Sequence, residues 1–387
     1  MKFTSSPIAE GFARPDGRIG IRNRILVFYT APCSEHVARE IARCFQQQDM
    51  EVDVIGFYEC CIDERHRQIM YRYVAHQNVG GVLAVGHGCE QLQAAELARE
   101  AGLAGKASAW FNVLDAGGTA KSIEKGRNIV ENLLHQIKNP EMKPIHIGDL
   151  SIGAECGGSD FTSGLAANAL VGRFMDGLID SGGVGMFAEM YEAIGLKDYL
   201  LGRCADENAK REIGGCYDKY LGLSADSGQF SISPGNIQGG LTSIEEKSMG
   251  AVVKSGSRPI RGVLRPGGHP RCKGLWFMDG GFGGDHIMDR SSGDAVECFL
   301  FLSCGAHMTF LTSGRGHLTN NPIGPIVKIT GNARSYKKMD DDFDVNAGLL
   351  LSGDKTLDQM NDELLDLVAA IAGGQKTKGE KNRHFEF

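Results

Sequence analysis

The chain lacks long apolar runs and has no excess of positive charge. No stretch of about eighteen apolar residues occurs in the chain, and its N-terminus has no apolar core of signal-peptide length. We therefore expect a cytoplasmic protein with no membrane partner. The 41 Lys and Arg residues are outnumbered by 48 Asp and Glu residues, so no attraction to nucleic acid is expected. A small substrate must be bound by local charge.

The chain also lacks several signatures of nucleotide and acyl chemistry. It has no Gly-x-x-x-x-Gly-Lys-Ser/Thr loop for phosphoryl transfer and no Gly-x-Ser-x-Gly turn for acyl hydrolysis. The stretch 183–188 matches a dinucleotide fingerprint in its letters, but it follows a predicted helix instead of a strand. Hydride transfer and acyl hydrolysis are therefore not indicated.

The eleven cysteines do not form a disulfide framework or a zinc-knuckle pattern. Their number is odd, and Cys44 falls inside a helical pattern, which suits reduced thiols. The adjacent Cys60 and Cys61 have no C-x-x-C partner. If a metal is bound, its ligands must come from loops that are distant in sequence.

Three cysteines occupy similar positions just after apolar runs. Residues 155–164 read Glu-Cys-Gly-Gly-Ser-Asp-Phe-Thr-Ser-Gly between an apolar run and a helical pattern. A strand, a loop and a helix N-terminus in this order favour anion binding, although a tight turn with an N-cap explains the same residues. Cys33 and Cys89 also follow apolar runs, as Cys156 does. This repetition favours a functional role.

Strand-like and helical patterns alternate in the first part of the chain. Strands are predicted at 25–29, 52–57, 81–85 and 107–113, and helices at about 34–47, 63–77, 90–101 and 120–138. This alternation predicts βα units with a parallel sheet, and ligands of such sheets bind at the carboxyl ends of the strands. The three cysteine loops are expected at that edge.

We predict an α/β protein with two α/β domains. Two prolines at 138–144 indicate a boundary. Residues 1–142 are predicted to form a Rossmann-like or flavodoxin-like parallel-sheet unit, and residues 143–373 a second α/β domain. The glycine-rich stretch 279–285 is expected to be a lid or a long loop, and the polar tail 374–387 is expected to be disordered.

An arginine-rich loop precedes the first predicted strand of the βα units. Residues 11–24 contain Arg14, Arg18, Arg22 and Arg24. Guanidinium groups bind carboxylates bidentately, so the loop is a candidate carboxylate clamp. A solvated loop would show the same density of charge.

The motifs together resemble the altronate/galactarate dehydratase family. They follow the family's order at 11–23, 80–90, 155–164, 233–241, 246–256, 312–316 and 344–348. Members remove water from hydroxylated sugar acids to give 2-keto-3-deoxy acids, and a related branch eliminates sulfite from 3-sulfolactate. The resemblance implies a lyase, with a non-catalytic sugar-acid-binding subunit as the alternative.

Two features depart from the family pattern. Fused members begin with a small β-rich domain that is absent here, so the chain resembles a large subunit and a separate small subunit is expected. Glu59, Cys60, Cys61 and His87 are more polar than their counterparts in relatives, which leaves the exact acid open. The oligomeric state also stays open, and a homo-oligomer is compatible with the sequence.

The resemblance implies iron as a cofactor. We predict that Cys33, Cys89 and Cys156 converge as thiolates on a ferrous ion or on an iron–sulfur cluster with an open iron. Zinc would accept the same ligands. Each cysteine taken alone could instead be a small buried residue.

The implied reaction removes the proton next to the substrate carboxylate before the C3 substituent leaves. The candidates for catalysis, in no order, are Lys254, His307, Glu189 and Asp160. The candidates for substrate binding are Arg315, backed by Arg18 or Arg22, together with Ser159, Asn236 and Gly316. An internal ion pair is the alternative for the Glu and Lys candidates.

Overall fold

The computed structural model describes residue 3 and residues 6–227, 232–281 and 293–385. The strands, in chain order, are β1 (Ala9–Ala13), β2 (Ile19–Gly20), β3 (Arg24–Tyr29), β4 (Val52–Gly56), β5 (Val79–Gly86), β6 (Ala107–Asn112), β7 (Met142–Ile145), β8 (Ser151–Gly157), β9 (Val184–Phe187), β10 (Ile260–Leu264), β11 (Gly274–Met278), β12 (Met308–Ser313), β13 (Ile326–Thr330) and β14 (Val345–Asn346). The α-helices are α1 (Pro32–Gln46), α2 (Glu64–Val74), α3 (Ala94–Leu103), α4 (Thr119–Gln136), α5 (Asn168–Asp180), α6 (Lys197–Gly202), α7 (Glu207–Ser227), α8 (Pro234–Gln238), α9 (Ile244–Val252), α10 (Gly293–Ser303), α11 (Ala333–Lys338), α12 (Gly348–Leu351), α13 (Leu357–Ala372) and α14 (Lys378–Asn382).

A four-stranded parallel sheet forms the centre of the first domain. Its order is β4-β3-β5-β6. The chain therefore adds β4 on one side of β3 and then β5 and β6 on the other side, which makes the switch point between β3 and β5, as in flavodoxin-like folds. β3 is buried on both faces because Val27 packs with α1 and α4, whereas Phe28 packs with α2 and α3. The predicted α/β class is confirmed, and the elements predicted between residues 25 and 138 are present with ends shifted by a few residues.

A seven-stranded parallel sheet forms the centre of the second domain. Its order is β10-β11-β9-β8-β12-β13-β14, and the order reverses between β8 and β12. Helices α5 and α13 cover one face of the central strands, where Phe174 and Leu364 belong to one core. On the other face, Phe301 of α10 belongs to a core that also contains Phe28 of the first domain.

Helices α2 and α10 join the two domains side by side. Tyr73 of α2 donates its hydroxyl to the carbonyl oxygen of Phe299 in α10 at 3.2 Å. The Asn78 side chain donates to the carbonyl oxygen of His307 at 2.9 Å. Because Asn78 precedes β5 and His307 precedes β12, the amino ends of these strands are neighbours. At the other end, Phe57 after β4 lines one cavity with Val296 near the start of α10, and Asp294 at that start lies beside Gly157 at the end of β8. The carboxyl edges of both sheets therefore lie on the same side of the molecule.

A small antiparallel sheet crosses the predicted domain boundary. Its order is β2-β1-β7, so β7 pairs with a strand near the start of the chain. β7 spans the predicted boundary between residues 142 and 143. The region therefore carries a strand that ties the second domain back to the arginine-rich loop.

The expectation of a disordered tail is wrong for residues 374–385. The tail contains α14, and the buried carboxylate of Glu380 bonds the Arg22 guanidinium at 2.8 and 2.9 Å and also contacts Arg24. Buried guanidinium groups are costly unless they are paired. The tail supplies the missing negative charge, which the local composition of this segment does not reveal.

The helices of the described segments include none that combines the length and the apolar character of a membrane span. The predicted lid at 279–285 falls largely outside the described residues, since the structure describes only 279–281 of it.

Candidate active site

The switch point of the second sheet brings together the ends of β8 and β12. Cys156 and Gly157 of β8 pair in register with Thr312 and Ser313 of β12. Ligands of open parallel sheets bind outside the carboxyl ends of the strands at such a point. This edge is therefore the first place to look for reactive groups.

The Cys156 thiol lies within a cluster of charged side chains. Its Sγ lies 2.8 Å from Nζ of Lys254 and 2.8 Å from Oε2 of Glu192. Lys254 also donates to the Glu189 carboxylate at 3.0 Å, and Lys247 Nζ lies 2.6 Å from Glu192 Oε1. Both glutamates follow β9, whereas Lys247 lies on α9 and Lys254 on the 3₁₀ turn after it. The fold thus gathers the cluster from three separate segments.

The three carboxyl groups of the cluster titrate differently because their neighbours differ. Burial, and next the charge of Glu192, raise the pKa of Glu189 to about 7, against the opposing effect of Lys254. Burial also opposes ionisation of Glu192, but Lys247 and Lys254 outweigh it and lower its pKa below the usual range. Burial and then Glu189 raise the pKa of Glu155 well above its usual range. The cluster therefore favours ionisation of Glu192 and protonation of Glu155, and Glu189 lies between the two.

Glu189 has a strained backbone, and its side chain is more exposed than that of its ion-pair partner Lys254. Its φ of 70° lies in the left-handed region that residues other than glycine rarely adopt. Its side chain is 16% exposed, compared with 1% for Lys254. Strained backbone often occurs at functional sites, where the surrounding structure compensates its cost. Of this pair, Glu189 is the residue that a small ligand can reach.

Four of the predicted substrate-binding residues meet beside the same switch point. The Asn236 side chain donates to the carbonyl oxygen of Ser159 at 3.0 Å. Arg315 donates from Nη1 to the carbonyl oxygen of Gly235 at 2.6 Å, and its backbone N–H bonds the loop after β8. Gly316 follows directly and bonds Ser313 through its N–H at 3.0 Å. Arg315 is exposed at this edge, so its charge is accessible to solvent and ligands.

Asp160 holds the loop after β8 in place. Its Oδ1 accepts hydrogen bonds from the N–H groups of Thr162 and Ser163 at 2.9 and 3.1 Å, and its Oδ2 accepts one from Asn332 at 2.9 Å. A side chain at Gly314 would lie 2.0 Å from the Asp160 carboxylate, so only glycine fits the turn that leads to Arg315. Asp160 therefore positions the site, and the structure does not support it as an acid or base.

His307 lies at the opposite end of the sheet from the cluster. It precedes β12, and its Nδ1 accepts a hydrogen bond from the Ser151 N–H at 3.0 Å. Its Nε2 lies 2.9 Å from the carbonyl oxygen of Ile19. Burial is the main cause that lowers its pKa to about 4, so the ring is neutral. A catalytic role for His307 is not supported, because both ring nitrogens serve the fold.

The two supporting arginines also lie away from Arg315. Arg18 bonds the Asp16 carboxylate at 2.6 Å and the carbonyl oxygen of Ala75 at 2.7 Å, near the amino edge of the sheets. Arg22 is buried against Glu380. Neither arginine therefore lies beside Arg315 to back it. Arg22 is part of a buried ion pair, and Arg18 is part of a partly exposed one.

The three predicted metal ligands do not converge. Within the described segments, only Glu155, Cys156 and Glu189 bring three possible ligand atoms within 4.8 Å of one another. An ammonium group 2.8 Å from the Cys156 thiol already supplies the positive charge there. Cys33 and Cys89 are exposed residues of the first domain. Cys156 therefore does not fit a shared metal site with them, whereas Cys33 and Cys89 keep the exposure that a metal site needs.

The sequence did not single out Glu155, Glu192 and Lys247 as site residues. Glu155 and Lys247 belong to motifs of the family, and Glu192 lies three residues after Glu189. That spacing was the available signal, because positions three apart on a helical turn share a face. Their mutual contacts depend on the chain path and not on any local pattern.

Comparisons with known proteins identify the family of this chain. The family models described as "D-galactarate dehydratase/Altronate hydrolase, second domain" and "D-galactarate/Altronate dehydratase, C-terminal" match residues 11–138 and 147–387. Altronate dehydratases of Escherichia coli (strain K12) and Bacillus subtilis (strain 168) are 30% and 29% identical, and each comparison covers 96% of this chain and 75% of the relative. The (2R)-sulfolactate sulfo-lyase subunit beta of Chromohalobacter salexigens is 27% identical over 97% of this chain and 95% of that subunit. The resemblance read from the motifs is confirmed, and the chain is an enzyme that belongs to the D-galactarate/altronate dehydratase family.

Proposed function

We propose that this enzyme eliminates water from a hydroxylated sugar acid, such as an aldonate or aldarate, to give a 2-keto-3-deoxy acid. One observation carries the proposal: an accessible carboxyl, Glu189, has a pKa of about 7 and lies 3.0 Å from the ammonium of Lys254 at the sheet's switch point. The names of the altronate and galactarate dehydratases among its relatives support this substrate class.

Glu189 is proposed as the base that takes the proton next to the substrate carboxylate. General bases work best when their pKa lies near the working pH, and its pKa of about 7 meets that condition. The ordinary pKa of a glutamate, 4.5, would leave a weaker base. Burial beside Glu192 supplies the difference.

Lys254 is proposed to stabilise the negative charge that develops as the proton leaves. Its ammonium is buried and contacts both Glu189 and Cys156, so it is fixed before the substrate arrives. Fixed charges in a water-poor site stabilise a developing enolate more than mobile solvent does. The buried Glu155 has a raised pKa and so holds a proton that can be shared with Glu189.

The substrate carboxylate is proposed to bind Arg315, with Ser159, Asn236 and Gly316 forming the rest of this subsite. Arg315 is exposed beside the cluster, and its Nη1 is oriented by the carbonyl oxygen of Gly235. A guanidinium held at one nitrogen can still present others to a carboxylate. Iron is proposed as the cofactor, with Cys33 and Cys89 among its ligands, and when bound it would supply an electrophile for the leaving hydroxyl.

Substrate panels test the proposal directly. The purified enzyme is incubated with aldonates and aldarates, and 2-keto acid formation is followed for the wild type, for Glu189→Gln and for the exposed control Glu245→Gln. We expect turnover of at least one sugar acid by the wild type and the control, and a loss of about 10²- to 10⁴-fold in Glu189→Gln. Equal turnover by all three proteins would contradict the assignment of the base.

Elimination of sulfite is the second candidate reaction. The relative named (2R)-sulfolactate sulfo-lyase subunit beta matches 97% of this chain at an identity close to that of the altronate dehydratases. Removal of the proton next to a carboxylate is common to both reactions. Trapping of sulfite from sulfolactate, with no 2-keto acid from sugar acids, would favour this candidate.

A separate small subunit is also proposed. The sulfo-lyase relative is named as one subunit of an enzyme, and this chain matches 95% of that subunit. Closing an active site against water is one role that a second subunit can fill. Full turnover by the pure chain, unchanged by extracts of the source cells, would show that no such subunit is required.

A further inference from the structure

Three cysteines occupy equivalent positions after three neighbouring strands of the first sheet. Tyr29 of β3 pairs in register with Gly56 of β4 and with Val85 of β5. Counting four residues on from each of these partners gives Cys33, Cys60 and Cys89. Adjacent strands lie about 4.8 Å apart, so the three loops start within about 10 Å of one another. The sheet register thus directs three thiols to one edge.

Hydrogen bonds tie the three loops together. The Gln91 N–H donates to the carbonyl oxygen of Cys60 at 3.0 Å, and the Gln91 side chain accepts from the Ile62 N–H at 3.1 Å. On the other side, the Thr30 hydroxyl, three residues before Cys33, donates to the Glu90 carboxylate. The segments that carry the thiols, which are the first turn of α1 for Cys33 and loops for Cys60 and Cys89, are therefore fixed relative to one another.

The same Glu90 carboxylate shapes the loop that carries Cys89. It accepts hydrogen bonds from the N–H groups of His87, Gly88 and Cys89 at 3.0, 2.8 and 3.0 Å. Glu90 itself is buried, so its oxygens face the loop and not the solvent. The loop is built to present Cys89 outward, where its side chain is exposed.

The three thiols are accessible to solvent and to a cofactor. Cys33, Cys60 and Cys89 are all exposed free cysteines. Each of them follows a strand of the first sheet, so the group is confined to the first domain.

We propose that Cys33, Cys60 and Cys89 ligate an iron–sulfur cluster, with Cys60 in the place that the sequence assigned to Cys156. Cysteine thiolates are the usual ligands of such clusters, and three of them leave one iron open to another ligand. The three sulfur atoms do not all lie within 4.8 Å of one another. A cluster, whose irons and sulfides separate its thiolates, suits that wider spacing better than a single ion does. Each thiol loses its proton to solvent on ligation.

The position of the group suits a functional centre. Cys33 follows β3 and Cys89 follows β5, the two strands between which the order of the first sheet reverses. This is the switch point of a flavodoxin-like sheet, where ligands bind. The carboxyl edges of both domains lie on the same side of the molecule. An open iron here would therefore face the side on which Glu189 and Lys254 lie.

Metal content and thiol protection test the proposal without any assay of turnover. The full chain is incubated anaerobically with ferrous iron and sulfide, and iron, acid-labile sulfide and visible absorption are measured. The wild type is compared with Cys33→Ser, Cys60→Ser and Cys89→Ser, and with Cys61→Ser as the matched neighbouring control. We expect a cluster in the wild type and in the control, and its loss in the other three variants.

Alkylation of the wild type keeps the test independent of folding in the variants. A thiol reagent followed by peptide mass analysis should label Cys33, Cys60 and Cys89 in the apo chain but not after reconstitution. Cys61 and the exposed Cys272 should be labelled in both states. The proposal is overturned if Cys60→Ser keeps full iron and sulfide, if Cys61→Ser loses as much as Cys60→Ser, or if the wild type takes up neither.

Discussion

Replacing Glu189 by glutamine should lower activity while making the protein more stable at alkaline pH. The substitution keeps the size of the side chain and removes only its titration. Lys254 keeps Glu192 and the Cys156 thiol as neighbours, at 3.4 and 2.8 Å. A residue that only supported the fold would show the opposite result, because its loss would destabilise the protein.

The magnitude follows from the raised pKa of Glu189. A carboxyl raised from 4.5 to about 7 favours its neutral form in the folded protein by about 3 kcal/mol. Between these two pH values the folded state binds more protons than the unfolded state, so the wild type loses this stability as the pH rises. The variant has no proton to lose at this position. The free energy of unfolding of Glu189→Gln, relative to the wild type, should therefore rise by about 3 kcal/mol between about pH 5 and pH 8.

Urea unfolding at the two pH values and steady-state kinetics check both parts of this prediction. The exposed Glu245→Gln variant serves as the control, since it should change neither property. A relative stability that stays constant with pH would show that Glu189 does not ionise in this range. A nearly unchanged kcat would remove it as the base, whatever its titration.

Three further predictions concern other charged residues. Arg315→Lys keeps the charge but loses the planar fork of N–H donors, so the transition-state stabilisation calculated from kcat/KM should fall by about 2 kcal/mol. An unchanged kcat/KM would return Arg315 to a structural role. Lys254→Met should lower the free energy of unfolding, measured in urea, by about 3–5 kcal/mol. It should also move the acid limb of the pH–rate profile to higher pH, because Glu189 loses its cation. An acid limb at the wild-type pH would contradict the coupling of Glu189 and Lys254. Glu380→Gln should also lower the free energy of unfolding by about 3–5 kcal/mol at neutral pH. Arg22 and Arg24 outweigh burial and lower the pKa of Glu380 to about 2, so this difference should vanish as the pH falls from 4.5 toward 2.

The elements of the first domain could be predicted from the sequence because their signal is local. Val37 and Ile41 recur at helical spacing and pack on the same face of the sheet, while the run around Val27 is apolar throughout because both faces of its strand are buried. Periodicity of this kind depends only on neighbours in the chain. The same holds for Thr356, whose hydroxyl accepts from the Gln359 N–H at the start of α13.

The family motifs also predicted residues that the structure places together. Ser159, Asn236, Arg315 and Gly316 were chosen from motifs far apart in the chain, and the structure brings them to one edge. The motifs could not show which charges face the substrate. His307, for example, is a polar residue that the sequence offered for catalysis, but it lies at the opposite end of the sheet.

The sequence by itself determined the α/β class, the order of strands and helices in the first domain, and the family, because these depend on local periodicity and on short motifs of the chain. Only the tertiary structure decided the partners of the buried charges. Arg22 lies 358 residues from Glu380, and Lys254 lies 98 residues from Cys156. A buried charge must be neutralised by whatever group the chain path places beside it, and that path is set by packing of the whole domain.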